Sequence, residues 1–196
     1  RDSNRHVSSN ISCRKCCTFR KNLKMRIFYC LIIISLIYSC ESDDICPEST
    51  ISTPRLIITF YDVQNTELKK DVENLAVYAV KDGQLNLMNE INGITTDSIN
   101  IPLRNDQAVS NFKFYKDFSL VDDVPSGIIN HLYIDYEIFQ KFISKACGFI
   151  NNYSLLNFLT NDPSENSSSP NNWIDGYVIE NNLIENENQS HVKIFH

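Results

Sequence analysis

A cysteine thiol can act as a nucleophile, a metal ligand, a lipid acceptor or half of a disulfide, and this 196-residue chain has seven. Three of them form Cys13-x-x-Cys16-Cys17, a metal- or redox-like spacing, but no second ligand pair follows at a matching distance. Of the four histidines, His131 and His191 lie in the body of the chain without an HExxH, an HxH or a carboxylate spacing that would hold a metal on one face. Cys147 paired with His191 would make a thiol hydrolase only if the thiol were free and activated. There is no G-x-S-x-G, no P-loop and no G-x-G-x-x-G. The acidic pairs Asp43-Asp44 and Asp122-Asp123 depart from the Asp-x-Asp-x-Asp-Gly calcium pattern and read as solvated turns. Trp173, with Tyr177 nearby, could stack on a sugar if the rings were exposed; a lone Trp at the start of a strand otherwise belongs in a core. These residues predict no catalytic group, no metal and no cofactor, and the chain reads as a non-enzyme.

The clearest chemistry lies ahead of the body. Residues 1–39 carry eight Lys/Arg and one Asp, a charge of +7, whereas residues 40–196 carry ten Lys/Arg and 23 Asp/Glu, a charge of -13. A basic front before an acidic body suggests a targeting segment before a domain, and the acidic body repels nucleic acid and anionic headgroups. Arg20, Lys21, Lys24 and Arg26 flank an apolar stretch at 27–38. As a helix it spans about 18 Å against the roughly 30 Å of a bilayer core, so it has the length of a signal peptide and not of an anchor. The stretch closes on Leu36-Ile37-Tyr38-Ser39-Cys40, which resembles a bacterial lipobox, although Tyr38 is bulkier than usual there. Cleavage before Cys40 and its lipidation would anchor the chain, each buried methylene contributing about 0.8 kcal/mol. An ordinary signal peptide or an uncleaved interfacial helix are the alternatives. Glu41-Ser42-Asp43-Asp44 then looks like the surface-export signal of Bacteroidota lipoproteins, which favours the cell surface; the periplasmic face of the outer membrane stays open if the run is only a solvated linker.

Domain organisation follows from this. Residues 1–24 precede the only Met correctly placed for such a signal and read as an over-extended frame. Residues 25–39 form the signal peptide, 40–54 the lipidated Cys and linker, and 55–196 a β-rich domain. Cleavage would leave Cys40, Cys46 and Cys147. In an oxidising envelope Cys46 and Cys147 invite a disulfide, whose loop of about 100 residues would stabilise the fold by roughly 4.7 kcal/mol in the chain-entropy model. Two separate buried thiols are the alternative.

In the body the hydrophobic period is two. Residues 55–61 and 75–80 are β-branched and aromatic runs, and Ile99, Ile101 and Leu103 alternate with polar neighbours. Phe112, Phe114, Phe118 and Leu120 share one parity, as do Leu132, Ile134, Tyr136 and Ile138. Further short strands are expected at 141–147, 173–179 and 191–195. Such alternation fits strands with one buried face, and seven to nine of them predict a single all-β, sandwich-like domain. Leu68, Val72 and Leu75 have helical spacing, so a short helix is expected over 66–74. The Asn-, Ser- and Pro-rich stretch 161–172 reads as a mobile loop.

Four stretches carry a resemblance: Cys46-Pro-Glu-Ser-Thr50, Thr53-Pro-Arg-Leu-Ile-Ile-Thr-Phe-Tyr-Asp62, Ser144-Lys-Ala-Cys-Gly148 and Ile184-Glu-Asn-Glu-Asn-Gln-Ser-His-Val-Lys-Ile-Phe195. In this order they resemble an uncharacterised family of Bacteroidota, mostly flavobacterial, envelope lipoproteins. The resemblance implies a lipid-anchored outer-membrane protein of unknown activity, with an outer-membrane barrel protein as a lead to its partner, and supplies no catalytic or binding residue. The function expected is therefore a binding or scaffolding module partnering an outer-membrane protein. A surface glycan binder using Trp173 and Tyr177 is the alternative, and a thiol hydrolase the third reading.

Overall fold

The computed structural model describes residues 25–29, 45–160 and 172–196. The chain divides into two compact units, Arg1–Ile45 and Cys46–His196. Within the first, residues 25–29 are helical. The cleavage site, Cys40, the run Glu41 to Asp44, the Cys13-x-x-Cys16-Cys17 group and residues 161–171 of the stretch expected to be a loop lie outside the described residues.

The second unit is a two-sheet, sandwich-like all-β fold, as the period-two pattern predicts. Ten strands are described: β1 (Leu56–Tyr61), β2 (Val72–Lys81), β3 (Gln84–Thr96), β4 (Ser98–Ile101), β5 (Val109–Val121), β6 (Val124–Ser144), β7 (Gly148–Leu159), β8 (Gly176–Ile179), β9 (Leu183–Ile184) and β10 (Val192–Phe195). One sheet has the order β4-β1-β10-β8, the other β3-β2-β5-β6-β7-β9. β1 and β10 pair in parallel, with Ile58 opposite Val192 and Phe60 opposite Ile194.

The core follows from parity. Leu56, Ile58 and Phe60 of β1, Ile99 and Ile101 of β4, and Val192 and Ile194 of β10 are buried from one sheet. Facing them are Leu75 and Val77 of β2, Phe112 and Phe114 of β5, Leu132, Ile134 and Tyr136 of β6, and Tyr153, Leu155 and Phe158 of β7. Fully burying each such side chain contributes about 1.5–3 kcal/mol, which offsets the ordering entropy of the strands. Ala76, Tyr78 and Tyr115 form a second small cluster, with Phe118 packed against it.

Two expectations need correction, both because of β-bulges. No helix forms over 66–74: residues 66–68 turn, and β2 starts at Val72. Asn74 has φ 45°, and the pairing with β3 shifts register between Val72 and Leu75. That shift brings two residues three apart to the same buried side, so a bulge mimics helical spacing. Likewise Phe118 does not share the face of Phe112 and Phe114. The β5–β6 register shifts between Lys116 and Ser119, with Asp117 at φ 53°, which moves Phe118 to the outer cluster. Opposite this bulge Gly127 has φ 147°, and a Cβ there would lie 2.6 Å from the Lys116 carbonyl oxygen.

Residues 141–144 are not a separate strand; they end β6, and 145–147 turn into β7. β3 and β7 themselves escape the sequence pattern. β3 is an edge strand exposed on most positions, so it lacks a buried parity. β7 carries Asn151, Asn152 and Asn157, a residue type depleted in strands.

Candidate functional site

Cys46 and Cys147 are bridged, with 4.9 Å between their Cα atoms and a sequence separation of 101. The local structure explains the meeting. The turn 145–147 closes the β6–β7 hairpin, and the Cys147 amide donates to Ser144 Oγ at 3.0 Å. Thr50 Oγ1 lies 3.5 Å from each sulfur. Further along, the Asn151 amide donates to Thr53 Oγ1 at 3.1 Å. The segment from Cys46 to Thr53 is thus held to the hairpin by one covalent bond and by the hydrogen bond from the Asn151 amide to the Thr53 hydroxyl. The bridge consumes the Cys147 thiol, so the Cys147–His191 nucleophile pair has no thiol to act with.

His191 is buried and occupied structurally. Its Nδ1 accepts from the Ile57 amide at 3.0 Å, which fixes this ring nitrogen as the unprotonated one, and burial pushes its pKa down from the ordinary value. His196 is also buried, and burial lowers its pKa too. Its ring meets Phe60 and Trp173 edge-on, with centroids 6.2 and 5.6 Å away.

Trp173 has only 7% exposure and belongs to the core. Asn130, buried on β6, accepts from the Trp173 and Ile174 amides at 2.9 and 3.3 Å and donates to the Thr160 carbonyl at 3.2 Å. One side chain therefore ties both flanks of the 161–171 segment to β6. Tyr177 keeps 37% exposure and packs on Phe158 with ring centroids 5.1 Å apart. Trp173 takes the core placement expected of a lone Trp at the start of a strand; the indole packs against Phe60, so the open Trp173–Tyr177 platform that the glycan alternative needs is not formed among the described residues.

A cavity of about 240 Å³ opens beside β2, β3 and β5, with Ala79, Met88, Leu103 and Phe112 in its wall. The segment that closes it is fixed by a ring of hydrogen bonds. The Arg104 amide donates to Ser110 Oγ at 2.9 Å, and the Tyr136 hydroxyl donates to the Arg104 carbonyl at 2.9 Å. Ser110 therefore spends its proton on Tyr136 Oη, 2.7 Å away. Arg104 also clamps Asp106 through two bonds of 3.0 and 2.7 Å, which holds that carboxyl down at about 2. The sequence pattern alone does not single out these groups. The available signal was Tyr136, since a tyrosine at an inward position needs a partner for its hydroxyl.

Exposed apolar side chains stand, among other places, at two hairpin ends. At the β6–β7 end Phe142 and Phe149 stand opposite each other, 55% and 61% exposed, with ring centroids 5.2 Å apart. At the β5–β6 end Leu120, Val121 and Val124 are exposed around the turn Asp122-Asp123, whose φ values of 50° and 62° suit a two-residue hairpin.

No curated protein and no solved structure matches the chain. A family model does match, over residues 74–196, from within β2 through β10 and including Cys147. The chain therefore belongs to the family of unknown function DUF6452.

Proposed function

We propose that this chain is an outer-membrane lipoprotein, held by lipid on Cys40 and displayed at the cell surface, whose sandwich serves as a binding and scaffolding module for an outer-membrane protein. The observation that carries the reading is the Cys46–Cys147 bridge. Disulfides persist in oxidising compartments, and this one begins six residues behind the lipobox-like Cys40. The signal-like order of charge, apolar stretch and Cys supports the same location. Two surfaces support a binding role: the exposed strand β3, which no further strand flanks among the described residues, and the apolar end of the β5–β6 hairpin. The glycan alternative drew on Trp173 as an open stacking face, and the burial of that ring leaves it without a specific observation in its favour.

Cross-linking of the native protein in outer membranes, followed by pull-down and mass spectrometry, tests the reading against a Cys40→Ala control. Recovery of one membrane protein, weakened in the control, is the expected result. Recovery of the bait alone would remove the scaffolding role.

A further inference from the structure

The geometry points to the β6–β7 hairpin end as a membrane-contact site that lays the sandwich on the bilayer holding its anchor. The inference rests on the lipid anchor proposed at Cys40 and extends it from attachment to orientation. Cys46 lies six positions after Cys40, and a fully extended chain of that length reaches no more than about 22 Å. The disulfide adds a Cα separation of 4.9 Å. Cys147 and the hairpin end are thereby confined close to the headgroup layer, whatever path the intervening residues take.

The side chains at this end suit that place. Phe142 and Phe149 form an exposed aromatic pair, and Phe139 adds apolar surface on the other side of β6. Lys141 and Lys145 are exposed beside them, and residues 139–151 contain no Asp or Glu within a body of charge -13. Aromatic rings settle at the boundary between headgroups and acyl chains, while lysine stems lie along apolar surface with the ammonium in the headgroup layer. The opposite end lacks this chemistry. Leu120, Val121 and Val124 surround two aspartates there, and Pro125, paired with Leu120, lies 17 positions before Phe142 in β6. A straight strand of that length covers about 55 Å, well beyond the depth of a headgroup layer.

The test uses the lipidated full chain in phosphatidylcholine vesicles containing brominated acyl chains, with two variants, Phe142→Trp and Leu120→Trp. Both positions are exposed, and the buried Trp173 supplies a constant background in each. The mass of the purified chain first establishes whether Cys40 carries lipid. The result expected is a blue shift and bromine quenching for Phe142→Trp, and neither for Leu120→Trp. With lipid present on Cys40, an unquenched Phe142→Trp overturns the contact and leaves the anchor intact. Equal quenching of both variants overturns it as well, since the sandwich then has no fixed end on the membrane. A chain without lipid on Cys40 overturns anchor and contact together.

Discussion

The two long hairpins of the six-stranded sheet share β6 and end very differently. The β6–β7 end is tied: a disulfide and the Thr53 hydroxyl hold it to the segment that starts at Cys46, and the Ser144 hydroxyl fixes the turn that carries Cys147. The β5–β6 end is built by backbone geometry alone, from a bulge at Asp117, a glycine at 127 and two aspartates at positive φ. Both ends expose apolar side chains, but aromatic ones beside lysines at the first and aliphatic ones around aspartates at the second. The difference teaches that exposed apolar surface in this molecule is not one feature with one explanation. A covalent tie and basic neighbours suit an end that faces the anchor proposed at Cys40; a free acidic end suits one that faces away.

The largest effect expected is from the tie. Reduction of the Cys46–Cys147 bridge, or Cys147→Ser, should lower stability by up to about 4.7 kcal/mol in the chain-entropy model, read by denaturant unfolding with and without reductant. Hydrogen exchange should quicken in residues 146–153 before it does near Asp122. At the free end the counterpart is Gly127→Ala. A Cβ 2.6 Å from the Lys116 carbonyl oxygen, at φ 147°, should cost about 1–3 kcal/mol in unfolding and fray residues 117–127, leaving the tied end protected. Tyr136→Phe, on β6 between the two, leaves the Arg104 carbonyl without its hydroxyl donor. It should cost about 1–3 kcal/mol and loosen both ends alike.

A smaller effect is set by pH. Burial lowers the folded-state pKa of His191 and His196 below the ordinary 6.5, so the unfolded chain binds the proton first as pH falls. Their contribution to stability is present above pH 6.5 and is lost as pH falls from there through the folded values. His191→Asn, which keeps an acceptor near the Ile57 amide, should flatten the slope of unfolding free energy against pH in that window. The smallest effect is expected from Phe142→Ser in the unlipidated protein. The ring is exposed, so its removal should change stability by less than about 0.5 kcal/mol, and a larger loss in unfolding would make the pair a structural element and not a free surface.

Much of this architecture was legible in the sequence because burial on one face writes itself as alternation. β1, β5, β6 and β10 have that alternation, and the inward set from Leu132 to Ile138 holds throughout. What alternation does not contain is an edge or a bulge. β3 lies at an edge with Ile91 its one buried side chain, so it shows no buried parity, and the bulges at Asn74 and Asp117 each change parity within a strand. Candidate sites divide on the same line. An even pair of cysteines in an expected oxidising compartment suggested the bridge. The exposure of Phe142 and Phe149 could not be read from a strand pattern in which aromatics ordinarily point inward. Trp173 was legible as a core residue, since a lone Trp at the start of a strand ordinarily packs inward; the Asn130 side chain that accepts from its amide was not.

On the function proposed above, lipid on Cys40 and the tied hairpin end belong to one covalent unit. Non-reducing peptide mapping of the mature chain from native membranes tests it most directly. The account predicts one linked species, in which a peptide beginning at acylated Cys40 and containing Cys46 is joined to the Cys147 peptide and separates from it on reduction. An unmodified Cys40, or free thiols at Cys46 and Cys147, would contradict it.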